Sequence, residues 1–400
     1  MTIGFQKVCD IHDFFDPDID DIIRHKLHTP PFSSRRAWEF AMNYRALRAS
    51  GVLRPNARGL AMGAGTERLI YAIVPEVAHT VVTDLYVPDS GWVGVRTENP
   101  RDLIAAKAPW KIDPAKYDAR AMDMRKLDFP DESFDFCWST GSFEHIGDDE
   151  DFLAHFREVE RVLKPGGVYA FTTAVTFGGA TERIPHNYYF DPDHLIDLIH
   201  ASPLHPEPIF DCGIRDHIYN RPHPERLQDF GYAAFRQFTV PVVSLRRGVI
   251  LTANAMLLTK DRGREKRRAK VVGLAETSAR LRRQADALVK ATFERPQLMV
   301  GAAKGRVVHF QPQSFGSGTL RIDATLPLAG PHIVGWSVES RAASGSYDWT
   351  REARGVLAPL RSGFTLPVAA GRLYRLSLRA LVPGAPERVR IRAKVVPVAS

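Results

Sequence analysis

The stretch Arg58–Val74, "RGLAMGAGTERLIYAIV", carries a short apolar run into two glycines, Gly63 and Gly65, and then a helix-like pattern. Glycines after a strand let the backbone approach a ligand closely. A dinucleotide fingerprint G-x-G-x-x-G would need glycine where Arg68 stands. Twenty-one residues beyond Gly63, the β-branched run "HTVVTDLY" ends in Asp84. A carboxylate there can accept from both hydroxyls of a ribose, and charge-assisted bonds are about twice as strong as neutral ones. Glycine pair and strand-end acid together point to an adenosine-bearing cofactor. Their spacing alone fits a nicotinamide enzyme equally well.

The next strand separates the alternatives. Ala121–Phe171 reads "AMDMRKLDFPDESFDFCWSTGSFEHIGDDEDFLAHFREVERVLKPGGVYAF". It offers Asp123, Leu127, Asp128, Phe129, Asp131, Ser133, Phe134 and Asp135, then Glu144-His145, then Arg161, Leu163, Lys164, Pro165, Gly166 and Gly167. In order and spacing these residues resemble the class I S-adenosylmethionine-dependent methyltransferases of the type 11 group, across about residues 30–260. Asp128 stands where that pattern usually has proline. The resemblance implies that Gly63, Ala64 and Gly65 line the methionine end of the donor and that Asp84 and Leu85 hold its ribose. It implies that Asp123 and the Met124 backbone meet the adenine, and that Ser139 lies under the donor near the transferring methyl. One family acid is missing: Ala61 occupies the slot two residues before Gly63. Glu67 could substitute for it, although an acid in a first helical turn is also favoured by the helix dipole. Phe129 and Phe134 read as core, and "LKPGG" as a helix stop.

Methyl transfer from a sulfonium needs alignment and exclusion of water more than covalent help. A hydroxyl acceptor gains most from a positioned base. The candidates are Glu144, His145 and His186, with Tyr188, Tyr189 and Asp191 beside the last in "RIPHNYYFDPDHL". His145 could instead orient the site, and "NYYF" could be packing. The carboxylates and histidines show no spacing that would bind a metal.

Short β-branched runs alternate with helical stretches as far as about Lys260, which predicts an α/β class with a Rossmann-like, mostly parallel, doubly wound sheet over 1–262. "SSRRAWEFAMNYRALRASG" reads as a helical lead-in, capped at Ser33/Ser34 and stopped at Gly51. Residues 263–295 read as a basic amphipathic linker helix, and 296–400, with alternating strands broken by Gly and Pro, as an all-β sandwich.

The net charge of +8 conceals an asymmetry. Residues 1–260 hold 29 Lys+Arg against 36 Asp+Glu, and 261–400 hold 25 against 10, so −7 and +15. Three separated cysteines, no basic-then-apolar start and no membrane-length apolar run predict a cytoplasmic protein without a membrane span. The basic C-terminal region allows peripheral contact with an anionic membrane. Its aromatics Trp336, Tyr347, Trp349 and Tyr374 could stack on sugars, so the expected acceptor is a glycan or glycolipid hydroxyl. The sandwich would then hold the polymer or join copies of the chain. RNA, lipid or protein acceptors, and a non-catalytic scaffold, are the alternatives, but no RNA-binding motif is present.

Overall fold

The computed structural model describes residues 4–30, 34–86, 96–184, 187–224, 242–246, 249–261, 263 and 265–293. In the C-terminal region it describes 298–300, 307–310, 318–325, 334–342, 350–357, 362–369, 372–380 and 389–397. The elements that build the site run β1 (Lys7–Val8), α1 (Arg35–Ala49), β2 (Arg58–Met62), α2 (Arg68–Ile73), β3 (His79–Asp84), α3 (Pro100–Lys107) and β4 (Tyr117–Ala121). They continue with β5 (Phe134–Thr140), α4 (Asp149–Val162), β6 (Leu163–Thr176), α5 (Pro192–Ala201), β7 (Ile209–Asp211), β8 (Val249–Thr259), β9 (Lys270–Val272) and α6 (Leu274–Phe293).

These strands form the spine of a twelve-stranded sheet in the order β9-β7-β1-β8-β6-β5-β2-β3-β4. Pairing is parallel from β6 through β5, β2 and β3 to β4, and antiparallel where β8 meets β6, β1 and the short strands Ser244–Arg246 and His205–Pro206. The strand order reverses between β2 and β5, and such a reversal opens a crevice at the carboxyl ends of the strands. The central strands are buried and rich in apolar residues, as a sheet covered by helices requires. In β5 every residue is buried.

Local sequence explains the helix starts. Ser34 caps α1, its side chain accepting from the Ala37 N–H, while Asp148 and Asp151 form a reciprocal capping box at α4. The helix α4 stops at Val162 as expected, but the "LKPGG" segment that follows already opens β6, with Gly166 in a left-handed conformation. Its Lys164 also reaches back to Asp135 at 2.9 Å, and Gly166 N–H bonds the Lys260 carbonyl at 2.9 Å.

Two differences from the sequence reading concern boundaries. The lead-in helix forms as expected, from its Ser34 cap to Ala49, but ahead of it Lys7 and Val8 pair with β8. Nor is 263–295 only a linker helix. Lys270–Val272 adds a strand to the sheet against Ile209–Asp211, and α6 then docks, burying Leu281 and Ala285. Arg282 Nε donates to the Phe177 carbonyl at 3.0 Å, and Thr277 Oγ1 accepts from the Ile214 N–H at 3.2 Å. An alternating "KVV" of three residues next to a basic run gives too little pattern to reveal such an edge strand.

The C-terminal region contains two four-stranded antiparallel sheets. One orders Leu298–Val300, Val389–Pro397, Gly318–Thr325 and Ser362–Val368. The other orders Val307–Phe310, Arg372–Ala380, Val334–Ala342 and Thr350–Leu357. Trp336 of the second stacks on Phe364 of the first, and Tyr374 is buried with its hydroxyl accepting from the Ala369 N–H. Two of the four aromatics nominated for sugar stacking are therefore committed to packing. Tyr347 and Trp349 lie outside the described residues. No described helix is long and apolar enough to cross a membrane.

Because β9 and α6 complete the sheet and its cover, a chain ended at residue 262 is expected to be less stable than one ended at 293. Exposing Leu281 and its neighbours should lower Tm by about 5–10 °C. Equal melting temperatures by circular dichroism would refute this boundary.

Candidate functional site

The tips of β2, β3, β4 and β5 surround a cavity of about 420 Å³, within the usual range for a small-molecule site. At its base the chain leaving β2 takes left-handed conformations at Gly63 (φ +58°) and Gly65 (φ +49°). A Cβ on Gly63 would lie 2.6 Å from the Ser142 Cβ, so this turn needs glycine for its angle and for its space. Asp84 fixes the turn. One carboxylate oxygen accepts from the Gly65 N–H at 2.8 Å and the other from the Leu85 N–H at 2.7 Å. Ser142, just beyond β5, closes it from the other side by donating its hydroxyl to the Gly63 carbonyl at 2.6 Å. Burial pushes the Asp84 carboxyl above its ordinary value, against the two N–H bonds that lower it.

Around this base the lining changes from polar to apolar. Glu67 and Arg36 line it beside the glycine turn, while Leu85, Met122, Met124 and Ile146 form an apolar slot. Asp123 closes the slot but is clasped by Arg125, whose Nη2 lies 2.7 Å and Nε 3.0 Å from its carboxylate. Arg125 also donates to Asp151 (2.9 Å) and to the Ile146 carbonyl (3.0 Å), and it holds the Asp123 carboxyl below its ordinary value. Behind the slot the buried His155 bridges the Met124 carbonyl and the Tyr169 hydroxyl, each at 2.9 Å. Burial lowers its pKa to about 4 and keeps the ring neutral.

Of the residues expected from sequence to touch a donor, Gly63, Ala64, Gly65, Glu67, Asp84, Leu85, Asp123 and Met124 all line the cavity. Ser139 does not. It is fully buried, and its carbonyl accepts from Asn43 Nδ2 at 3.1 Å. The strand runs one residue further than expected, to Thr140, so the wall comes from Thr140, Gly141 and Ser142. His145 lines the cavity, but Glu144 is buried behind it, accepting from Thr173 Oγ1 at 2.8 Å. His186 lies outside the described residues. Tyr188 and Tyr189 are buried, and Asp191 caps α5 by accepting from the Asp193 N–H. These three are structural here.

Sequence reasoning missed Arg36, Arg125 and Ser142. Arg36 belongs to a stripe on α1 with Glu39 and Asn43, spaced i, i+3, i+7, that fastens the helix across the tips of β5 and β6. Arg36 Nη1 donates to the Thr140 carbonyl (2.9 Å), Asn43 Nδ2 to Thr140 Oγ1 (3.1 Å), and Thr172 Oγ1 to Glu39 (3.1 Å). Three polar residues on one face of an otherwise buried helix were the available signal.

Residues 60–171, from β2 into β6, match the model of the methyltransferase domain family. The matched segment holds the parallel strands whose tips line the cavity, and the resemblance read from the sequence implies S-adenosylmethionine as the group such a cavity would hold. The lining fits that group: an apolar slot for a base, a strand-end carboxylate for a ribose, and a polar end beside left-handed glycines. Among solved structures it is similar to the cyclase SpnF (20% identity, 42% of this chain and 60% of that one, TM-score 0.33). It is also similar to a SAM-dependent methyltransferase from Methanosarcina mazei (15%, 54% and 97%, TM-score 0.34). A third is the 1,6-didemethyltoxoflavin-N1-methyltransferase of Burkholderia thailandensis, bound to its substrate and S-adenosylhomocysteine (15%, 63% and 84%, TM-score 0.35). The chain thus spans 60% of the length of the first. No curated protein matches it.

Two outcomes are expected. Asp84→Ala should weaken S-adenosylmethionine binding by tenfold or more in calorimetry, because the glycine turn and the ribose lose one shared anchor; unchanged affinity would overturn the site. The second concerns acid stability. Between pH 6.5 and about 4 the unfolded chain binds a proton at His155 that the folded chain refuses. Stability present above pH 6.5 should therefore fall by up to about 3 kcal/mol as pH drops through that window. Urea titrations at pH 7 and pH 4.5 on wild type and a folded His155→Gln variant would measure it.

Proposed function

We propose that the domain O-methylates a sugar hydroxyl of a glycan or glycolipid, with His145 as general base. The observation that carries this reading is the position of His145 on the cavity wall, between Ser142 and Ile146, while Glu144 is occupied with Thr173. The donor, when bound, supplies its methyl as an electrophilic carbon on a sulfonium. The residues of the chain orient and shield. Gly63, Gly65 and Asp84 fix the donor's position, and Leu85, Met122, Met124 and Ile146 exclude water from the slot. His145 takes the proton that the acceptor hydroxyl loses as its oxygen bonds to the methyl carbon. The C–S bond breaks in the same step, and its electron pair stays on sulfur.

The C-terminal sheets would hold the acceptor polymer or join copies of the chain. The stacking of a partly buried Trp336 on Phe364 and the burial of Tyr374 favour recognition through exposed polar groups such as Arg351 and Arg354 over ring stacking. Peripheral contact with an anionic membrane fits the basic C-terminal region, and a cytoplasmic location fits the three separated cysteines.

Incubating the protein with methyl-labelled donor and separate glycan, lipid, RNA and protein fractions tests the acceptor. Label in the glycan or glycolipid fraction is expected, and label confined to RNA or protein would overturn the sugar reading. His145→Ala should lower kcat by roughly 10²–10⁴-fold while leaving the Kd for S-adenosylhomocysteine within about twofold. A loss of donor affinity without a fall in kcat would remove His145 as base.

A further inference from the structure

The glycine end of the cavity brings one cation and one carboxylate to the same wall. Arg36 enters from the first turn of α1 and lies over Gly141, whose left-handed conformation (φ +56°) and missing Cβ make room for it; a Cβ there would strike the guanidinium. Both of its hydrogen bonds, to Glu39 Oε2 (2.8 Å) and to the Thr140 carbonyl (2.9 Å), use Nη1. Its side chain remains 48% exposed, and that exposure opens into the cavity it lines. A guanidinium carries five N–H donors in a planar fork that matches a carboxylate. Among the described lining residues the other arginine, Arg125, already clasps Asp123.

Glu67 precedes α2 and caps nothing with its side chain; Trp138 Nε1 donates to its Oε1 at 2.7 Å. The groups facing it are Arg36 and Glu39 from α1, and Trp138 and Thr140 from β5. The acid that the sequence pattern leads one to expect at position 61 is absent, and Ala61 is fully buried within β2. The donor ends in an α-amino acid, a carboxylate and an ammonium on one carbon, and needs one partner of each sign.

We propose that Arg36 and Glu67 together bind the amino-acid end of the methyl donor, Arg36 taking the carboxylate and Glu67 the ammonium, in place of the acid missing at position 61. This rests on the methyl-donor assignment of the cavity. It makes donor binding proton-linked. Burial holds Glu67 up to about 8, so near neutral pH the side chain is mostly protonated before binding. An ammonium beside it stabilises the carboxylate form, so a proton leaves to solvent as the ligand enters. Affinity therefore rises with pH toward about 8, as long as the ligand's own amine stays protonated.

Calorimetry with two probes tests the pair: S-adenosylhomocysteine, and 5′-methylthioadenosine, which shares the adenosine and sulfur but lacks the amino-acid end. Arg36→Met and Glu67→Gln should each weaken S-adenosylhomocysteine by roughly tenfold to hundredfold while changing methylthioadenosine by less than twofold. Wild type at pH 7, compared in buffers of different ionisation enthalpy, should release close to one proton with the first probe and none with the second. Glu67→Gln should abolish that release. Equal losses for both probes, or none, in variants with native circular dichroism would overturn the pairing and leave the donor site standing. Failure of wild type to bind either probe would overturn the donor assignment itself.

Discussion

One carboxylate organises the crevice. Asp84 ends β3 and accepts hydrogen bonds from Gly65 in the loop after β2 and from Leu85 in its own strand's exit. That pair of bonds joins the two strand tips and holds the glycine turn in a left-handed path that other residues would resist. Ser142 adds the tip of β5 by bonding the Gly63 carbonyl. Three strands thus converge where the strand order reverses, and the cavity is the space their tips enclose. The partly buried carboxylate is stabilised by N–H donors instead of a cation, so lone pairs remain directed at the cavity. An arginine in that place would satisfy Asp84 and close the site.

The motif residues between Asp123 and Gly167 act as a clasp. Arg161 Nη1 donates to the Phe129 carbonyl (2.6 Å) and to Asp131 (2.9 Å), and its Nη2 donates to the Leu127 carbonyl (2.8 Å). Glu158 accepts from the Leu127 N–H at 2.7 Å. Asp135 receives Arg54, Lys164 and the Arg58 N–H, which pins the start of β5 against β2. The two halves of the pattern, separated in sequence by a helix, are therefore one hydrogen-bonded unit. Their joint presence in the sequence was informative for that reason, although of the motif residues only Asp123 and His145 line the cavity.

What the sequence made legible followed from local rules. Alternation located β2, β3 and β5 to within a residue or two, and spacing from Gly63 located Asp84. What it did not make legible depends on contacts between distant segments. Ser139 against Ser142 turned on where β5 ends, and a strand's last residue is poorly marked when the next residues are Thr140 and Gly141. Arg36 and Asn43 reach β5 from a helix about a hundred residues earlier. Alternation in the C-terminal strands showed which residues share a face but not which face turns inward. Burying the ring of Trp336 is favourable and burying the neighbouring arginines is costly, so the aromatics take the inside.

The exchange of acid for alanine at position 61 has a physical counterpart across the sheet. Ala61 of β2 sits in register with Trp138 of β5, and both are fully buried. Parallel neighbours in register project to the same side, so a small residue at 61 leaves width for the indole at 138. A carboxylate at 61 would compete with that ring for space and would stand without a cation in an apolar interior, at a cost of several kcal/mol. Trp138 instead presents its N–H to Glu67, which approaches from the start of α2. The acidic group is thereby moved from the strand to the helix end and onto the cavity wall beside Arg36. Ala61, Trp138 and Glu67 form one coordinated arrangement, so restoring an acid at 61 without reducing Trp138 would disturb the wall that Glu67 depends on.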